Sequence, residues 1–173
     1  MRSKFHLFLL LCIIAITAQA QDDQSPSLNI GDPAPPLRVR EWLKGTPVQQ
    51  FEKGNVYVLE FWATWCGPCN AAMPHLSALA AEYKDRVTIS GIDVYESKNT
   101  FMEKVKAFVD SMGSRMEYHV AAEDSNFMEV DWFDASGTRG IPMSFVVNGD
   151  GRLAWIGHPK DLDEVLPKIV NNT

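Results

Sequence analysis

The chain has 173 residues, 46% of them hydrophobic, with Lys+Arg 16 against Asp+Glu 22 and a formal net charge of −6. That length suits one globular domain, large enough to bury a core without disulfide bracing. The acidic balance and the scattered placing of the basic residues speak against nucleic-acid and anionic-membrane partners.

Arg2 and Lys4 precede an apolar run from Leu7 to Ile16, and Ala18-Gln19-Ala20 offers a small-x-small site before Gln21. This order reads as a secretory signal peptide over residues 1–20. The run is shorter than the about 20 residues a membrane-spanning helix needs, so membrane association is expected only if the segment is retained. Lipid attachment at Cys12 is disfavoured, because Leu11 stands where a small residue is expected. Removing residues 1–20 takes Arg2, Lys4 and Cys12 with it. The charge moves from −6 to −8, and of 3 cysteines only Cys66 and Cys69 remain. Residues 21–36 are polar and rich in Pro, Ser and Asp and read as a flexible leader to a domain over residues 37–173.

Leu37 to Trp42 alternates apolar and polar, and Lys44-Gly45 offers a turn into Val48 to Phe51, so a short N-terminal β-hairpin is expected. Val56 to Trp62 is nearly all apolar, the pattern of a strand buried on both faces, with Glu60 interrupting it. Asn70 to Lys84 reads as a helix with Leu76, Leu79, Ala80 and Tyr83 on one stripe, and Val87 to Val94 as a second buried strand. Thr100 with Glu103 forms a capping box for a helix through Phe101, Val105, Phe108, Val109 and Met112, which Gly113 ends. Tyr118 to Ala122 reads as a strand and Ser125 to Phe133 as a short helix whose Met128, Trp132 and Phe133 are core residues. Strands Ser144 to Val147 and Leu153 to Ile156 flank Asn148-Gly149-Asp150-Gly151, a strong hairpin turn. Asp161 with Glu164 is expected to cap a last helix that Pro167 kinks or shortens. Strands alternating with helices indicate an α/β sandwich with a central mixed sheet.

Chemistry concentrates in Cys66-Gly67-Pro68-Cys69 at the expected start of a helix. Cysteines at i and i+3 there are near enough to bridge, and the free N–H groups and dipole of the helix end favour a thiolate at Cys66. A thiol pKa lowered from about 8.5 to about 7 raises the thiolate fraction at neutral pH from about 3% to about half. Cys66 is thus the candidate nucleophile, and Cys69, one turn in and shielded, the resolving thiol. Other readings compete. Structural zinc needs four ligands, and only His75 lies nearby as a third. An inert disulfide gains little from closing so short a loop. A copper- or zinc-binding metallochaperone module without turnover stays open, as does a weak tuning role for His75; His119 and His158 have no partner visible in sequence.

Trp62-Ala63-Thr64-Trp65-Cys66-Gly67-Pro68-Cys69, Pro74, Gly140-Ile141-Pro142 with Phe145, and the Asn148 to Gly151 turn resemble the thioredoxin superfamily. The apparent signal peptide, N-terminal hairpin and extra segment between Val94 and Arg139 resemble its extracytoplasmic TlpA/ResA-like branch. The resemblance covers roughly Gly31 to Ile169. It implies a thioredoxin-like fold with an insert before a cis-Pro strand, and a protein-disulfide oxidoreductase with no cofactor beyond the Cys66–Cys69 disulfide. It further implies that Pro142 is cis and faces the cysteines, and that Ile141 pairs its backbone with substrate. Trp65, Gly67 and Pro68 would border the substrate groove, and Pro74 would kink the active-site helix. Glu60 stands where thioredoxins carry a buried acid and would take the proton from Cys69. Thioredoxins place a lysine near that acid in the next strand; Val87 to Ile92 has none, and Ala72 stands where many branch members have a glutamate. The expected function is reduction of exported protein disulfides in a bacterial periplasm. Electrons would come from a membrane thiol donor, since no nucleotide-binding loop is present.

Overall fold

A computed structural model describes residues 26–96, 101–123 and 125–172. The expected signal peptide, the first part of the leader and Thr100 of the capping box lie outside them. In chain order the elements are β1 (Glu41–Lys44), β2 (Val56–Trp62), α1 (Gly67–Glu82), β3 (Val87–Asp93), α2 (Phe101–Met112), β4 (His119–Ala122), β5 (Met143–Val147), β6 (Leu153–Gly157) and α3 (Leu162–Val170). A 3-10 turn over Gly113–Met116 follows α2, and Glu129–Asp134 forms a π-helical turn.

The sheet order is β1-β4-β3-β2-β5-β6. β2 pairs in parallel with β3, and β3 with β4. β1, β5 and β6 each run antiparallel to their neighbours. Period-2 alternation in β2 sorts its side chains between two cores. Val56, Val58 and Trp62 join Met73, Leu76 and Leu79 of α1, Val105 and Val109 of α2, and Leu162 and Leu166 of α3. Tyr57, Leu59 and Phe61 face the other way, onto Met128, Trp132, Phe133 and Phe145. Phe61 meets Phe133 and Phe145 edge to face, with ring centroids 4.8 and 5.4 Å apart. With both faces covered, the near-continuous hydrophobicity of β2 is accounted for.

The expected N-terminal hairpin does not form. β1 pairs instead with β4, Glu41 opposite Ala122. The turn at Gly45 (φ 76) sends the chain off the sheet, where the Thr46 N–H donates to His119 Nδ1 at 2.9 Å. Residues 26–36 of the expected leader are docked. Leu28 is buried, and Gly31 N–H and Ala34 N–H donate to Leu153 and Gly151 carbonyls at 2.7 and 2.9 Å. Asp161 is the N-cap of α3 but makes no side-chain cap bond. It sits at the end of a 3-10 turn with helical backbone (φ −92, ψ 0), whereas a capping side chain needs extended backbone. Pro167 lies inside α3, yet the helix runs on to Val170. Elsewhere the order holds: Gly113 (φ 52) ends α2, and Asn148 Oδ1 accepts from Asp150 and Arg152 N–H at 3.0 Å to close the β5–β6 turn.

Candidate active site

β2 ends at Trp62, and a short turn delivers Cys66 to the N-cap of α1, with extended backbone at φ −82 and ψ 96. Its N–H donates to the Ala63 carbonyl at 3.0 Å, and its own carbonyl accepts from Asn70 N–H at 3.0 Å. Cys66 Sγ accepts from Cys69 N–H at 3.2 Å. A sulfur therefore occupies the place of a capping oxygen, where a negative charge is best stabilised. Pro68 sits in the first turn, where a missing N–H costs nothing. Gly67 has open space around it. Cys66 and Cys69 are joined as a disulfide, their Cα atoms 5.3 Å apart. Cys66 is 4% exposed and Cys69 fully buried, so an approaching thiolate reaches only the first sulfur.

The surroundings of the pair come from three loops. Trp65 is 60% exposed beside it, its Nε1–H donating to the Tyr95 carbonyl at 3.3 Å. The Ile141–Pro142 bond is cis. Because Phe61 of β2 lies opposite Met143 of β5, Pro142 comes to the end of β2 from which the cysteine turn departs. The third loop escaped sequence reasoning. Glu96, three residues past the end of β3, accepts from Thr64 N–H at 2.7 Å and from Thr64 Oγ1 at 2.6 Å, while its other oxygen meets Lys104 Nζ at 2.7 Å. Its side chain is 2% exposed. Burial pushes this carboxyl up, but the bonds from Lys104 and Thr64 outweigh it and hold it below the usual range. The charge thus fixes the segment immediately before Cys66.

Glu60 is completely buried on the helix-facing side of β2, the side that also carries Val58, Trp62 and, from α1, the two cysteines. Burial raises its pKa from 4.5 to about 8. Neither oxygen has a hydrogen-bond partner among the described residues. A second acid lies on the same side of the sheet: Asp93, opposite Trp62, is fully buried and pushed up to about 8, by burial and then by Glu96, with Lys104 opposing. No sequence signal separated Asp93 from an ordinary strand-end residue. His75 does not point to the cysteines but pairs with Asp163 of α3 at 2.9 Å. Among the described residues no group of three or more His, Cys, Asp or Glu is placed to hold a metal ion.

Residues 46–110 match the thioredoxin family model. Protein FixW of Rhizobium leguminosarum is 36% identical, over 84% of this chain and 67% of its own length. The thiol:disulfide interchange protein HelX of Rhodobacter capsulatus is 30% identical, over 88% of this chain and 82% of its own. The chain belongs to the thioredoxin family. Among solved structures, a thiol-disulfide isomerase from Corynebacterium glutamicum superposes with a TM-score of 0.66 at 20% identity, covering 81% of this chain and 98% of that one, a likeness of fold. Family membership and the bridged pair at the helix start together make this a thiol–disulfide oxidoreductase acting on protein thiols.

Proposed function

We propose that the protein is exported to a bacterial periplasm and there reduces disulfides of other exported proteins, drawing electrons from a thiol donor in the membrane. The observation that carries this reading is the pairing of a slightly exposed sulfur at a helix N-cap with a fully buried one, on the side of the sheet that also carries a buried carboxyl. Gly67 and Pro68 between the cysteines, which resemble reducing members of the family, support the direction.

In the reduced protein, Cys66 thiolate attacks one sulfur of a substrate disulfide. A Cys66–substrate bond forms, the substrate S–S bond breaks, and the first substrate sulfur leaves as a thiolate that takes up a proton. Cys69 then gives its proton to the Glu60 carboxylate and attacks Cys66 Sγ. The Cys66–Cys69 bond forms as the mixed disulfide breaks, and the second substrate thiolate departs. Two electrons pass to the substrate, the Cys69 proton stays on Glu60, and each departing substrate thiolate takes up a proton from water. The return half runs through the same groups. A donor thiolate attacks Cys66 Sγ, Cys69 leaves as a thiolate, and protonated Glu60 supplies its proton; the donor's second thiolate then attacks the donor sulfur of this mixed disulfide, and Cys66 leaves as a thiolate. With a pKa of about 8, Glu60 is roughly nine-tenths protonated at pH 7 in the disulfide state, the form that this leaving step needs. Trp65 and the Ile141–Pro142 backbone bound the site that receives the extended substrate strand.

Reduction of insulin disulfides by the purified protein tests the reading. Activity lost in Cys66→Ser is expected, together with mixed disulfides trapped on exported partners by Cys69→Ala. Stoichiometric copper or zinc binding with no reductase activity overturns it in favour of a metal-carrying module.

A further inference from the structure

The proton step assigned to Glu60 leaves open what controls that carboxyl, and the space around it holds a group the reaction has not yet used. Gly91 of β3 stands directly opposite Glu60 in the parallel register. A Cβ added at Gly91 would lie 2.9 Å from Tyr118 Cε2 and 3.1 Å from Trp62 Nε1. The phenol ring therefore fills the room that a side chain at position 91 would take, on the next strand from the acid. Tyr118 is buried, and its hydroxyl has no hydrogen-bond partner among the described residues. The same holds for both Glu60 oxygens, for Trp62 Nε1, and for the hydroxyl of Ser144, which flanks Glu60 from β5. One unpaired buried polar group costs on the order of 1–3 kcal/mol, so four such residues gathered on one patch of sheet are not an accident of packing.

We propose that Tyr118 is a positioning residue for thiol exchange: its hydroxyl donates to the Glu60 carboxylate through one enclosed water, and so sets how readily Glu60 exchanges its proton with Cys69. A buried water with two to four polar partners is an ordinary structural component, and Glu60, Tyr118, Trp62 and Ser144 supply them. Burial first, and the Glu60 charge second, hold the phenol well above its usual range. Tyr118 thus remains an O–H donor throughout the range in which Glu60 titrates. Other titratable groups on this face are Cys66 and Cys69 from α1, Tyr83 just past its end, and Asp93 from β3, two residues beyond Gly91. The charges that act on Asp93 are those of Glu96 and of Lys104 of α2. The 3-10 turn and α2 pack apolar Met116, Met112 and Phe108 over the same core.

The inference rests on Glu60 being the proton carrier, and the test separates the two. The oxidised full chain, carrying ¹³C at glutamate carboxyls, is titrated by NMR, with Glu60 identified by the resonance lost in Glu60→Gln. Tyr118→Phe keeps the ring and removes the donor. The Glu60 inflection should move up by about one pH unit, and the matching inflection in the pH profile of insulin reduction should move with it. Incorporating 3-fluorotyrosine, a stronger donor of the same shape, should move it down, and should do nothing in Tyr118→Phe. A Glu60 inflection unchanged by both perturbations overturns the role of Tyr118 and leaves it a space-filler over Gly91. The role of Glu60 itself is judged separately, by whether Glu60→Gln alters the rate profile.

Discussion

A carboxyl held near pKa 8 inside the fold should make the protein measurably less stable as pH rises, and Glu60→Gln should remove the effect. In the unfolded chain the group ionises near 4.5; in the folded one it holds its proton to about 8. Between those values the folded state binds more protons, so stability falls as pH increases through that window and levels off above it. Integrated to pH 7, the penalty on the native state is about 3 kcal/mol, and below pH 4 it is close to zero. Gln cannot ionise and has nearly the same shape. The two oxidised proteins should therefore unfold at similar urea concentrations at pH 4. At pH 7 the variant should be more stable by about 3 kcal/mol. Urea denaturation across pH 4 to 8, with the disulfide intact, reads the difference directly. Parallel stability curves for the two proteins would mean that Glu60 ionises as it does in bulk solvent, and the reasoning from its burial would fail.

Asp93→Asn should stabilise in the same direction, by about 4 kcal/mol at pH 7, because this acid too is lifted to about 8, from 3.8; equal stability in the same urea series counts against it. Glu96→Ala should act with the opposite sign, costing about 1–3 kcal/mol at pH 7 by stripping Thr64 and Lys104 of their acceptor. Because the Glu96 carboxyl lies below its usual range, that loss should shrink as acid protonates it, and a gap that persists undiminished at pH 3 rules out a charge-based clamp.

What could be read from the chain alone was what is local. The apolar run Val56 to Trp62, the spacing of Leu76 and Leu79, the glycine after Met112 and the Asn148 to Gly151 turn each specify their element within a few residues, and each element is found. The cysteine pair is legible for the same reason, since i and i+3 at a helix start meet whatever the rest of the chain does. The failures are non-local. Glu41–Lys44 alternates like one arm of a hairpin, but its partner is the strand that begins at His119. Glu96 follows a strand end and acquires meaning only because Thr64 lies across the parallel sheet from it. Tyr118 is the residue before a four-residue strand, and its ring lies against Gly91, which the sheet register sets opposite the buried acid.

Glu60 and Asp93 together show why burial alone does not identify a working acid. Both are fully enclosed, both are raised to about 8, and both face the side of the sheet that the helices cover. Either one, judged by its ionisation, qualifies as a functional candidate. Their neighbours separate them. Asp93 stands opposite Trp62 at the end of β3, and the charges that act on it are Glu96 and Lys104, the pair that fixes the loop. Glu60 has no charged neighbour to offset its burial; besides Asp93, what shares its face is the disulfide of α1, a phenol, an indole N–H and a serine hydroxyl. A group that must accept a proton from one sulfur and return it later is best served by such surroundings, since a nearby cation would fix the carboxylate and an exposed site would lose the proton to water. A fold that keeps an acid there against about 3 kcal/mol of its own stability, where a neutral residue of similar volume would fit, is consistent with selection for proton transfer rather than for packing.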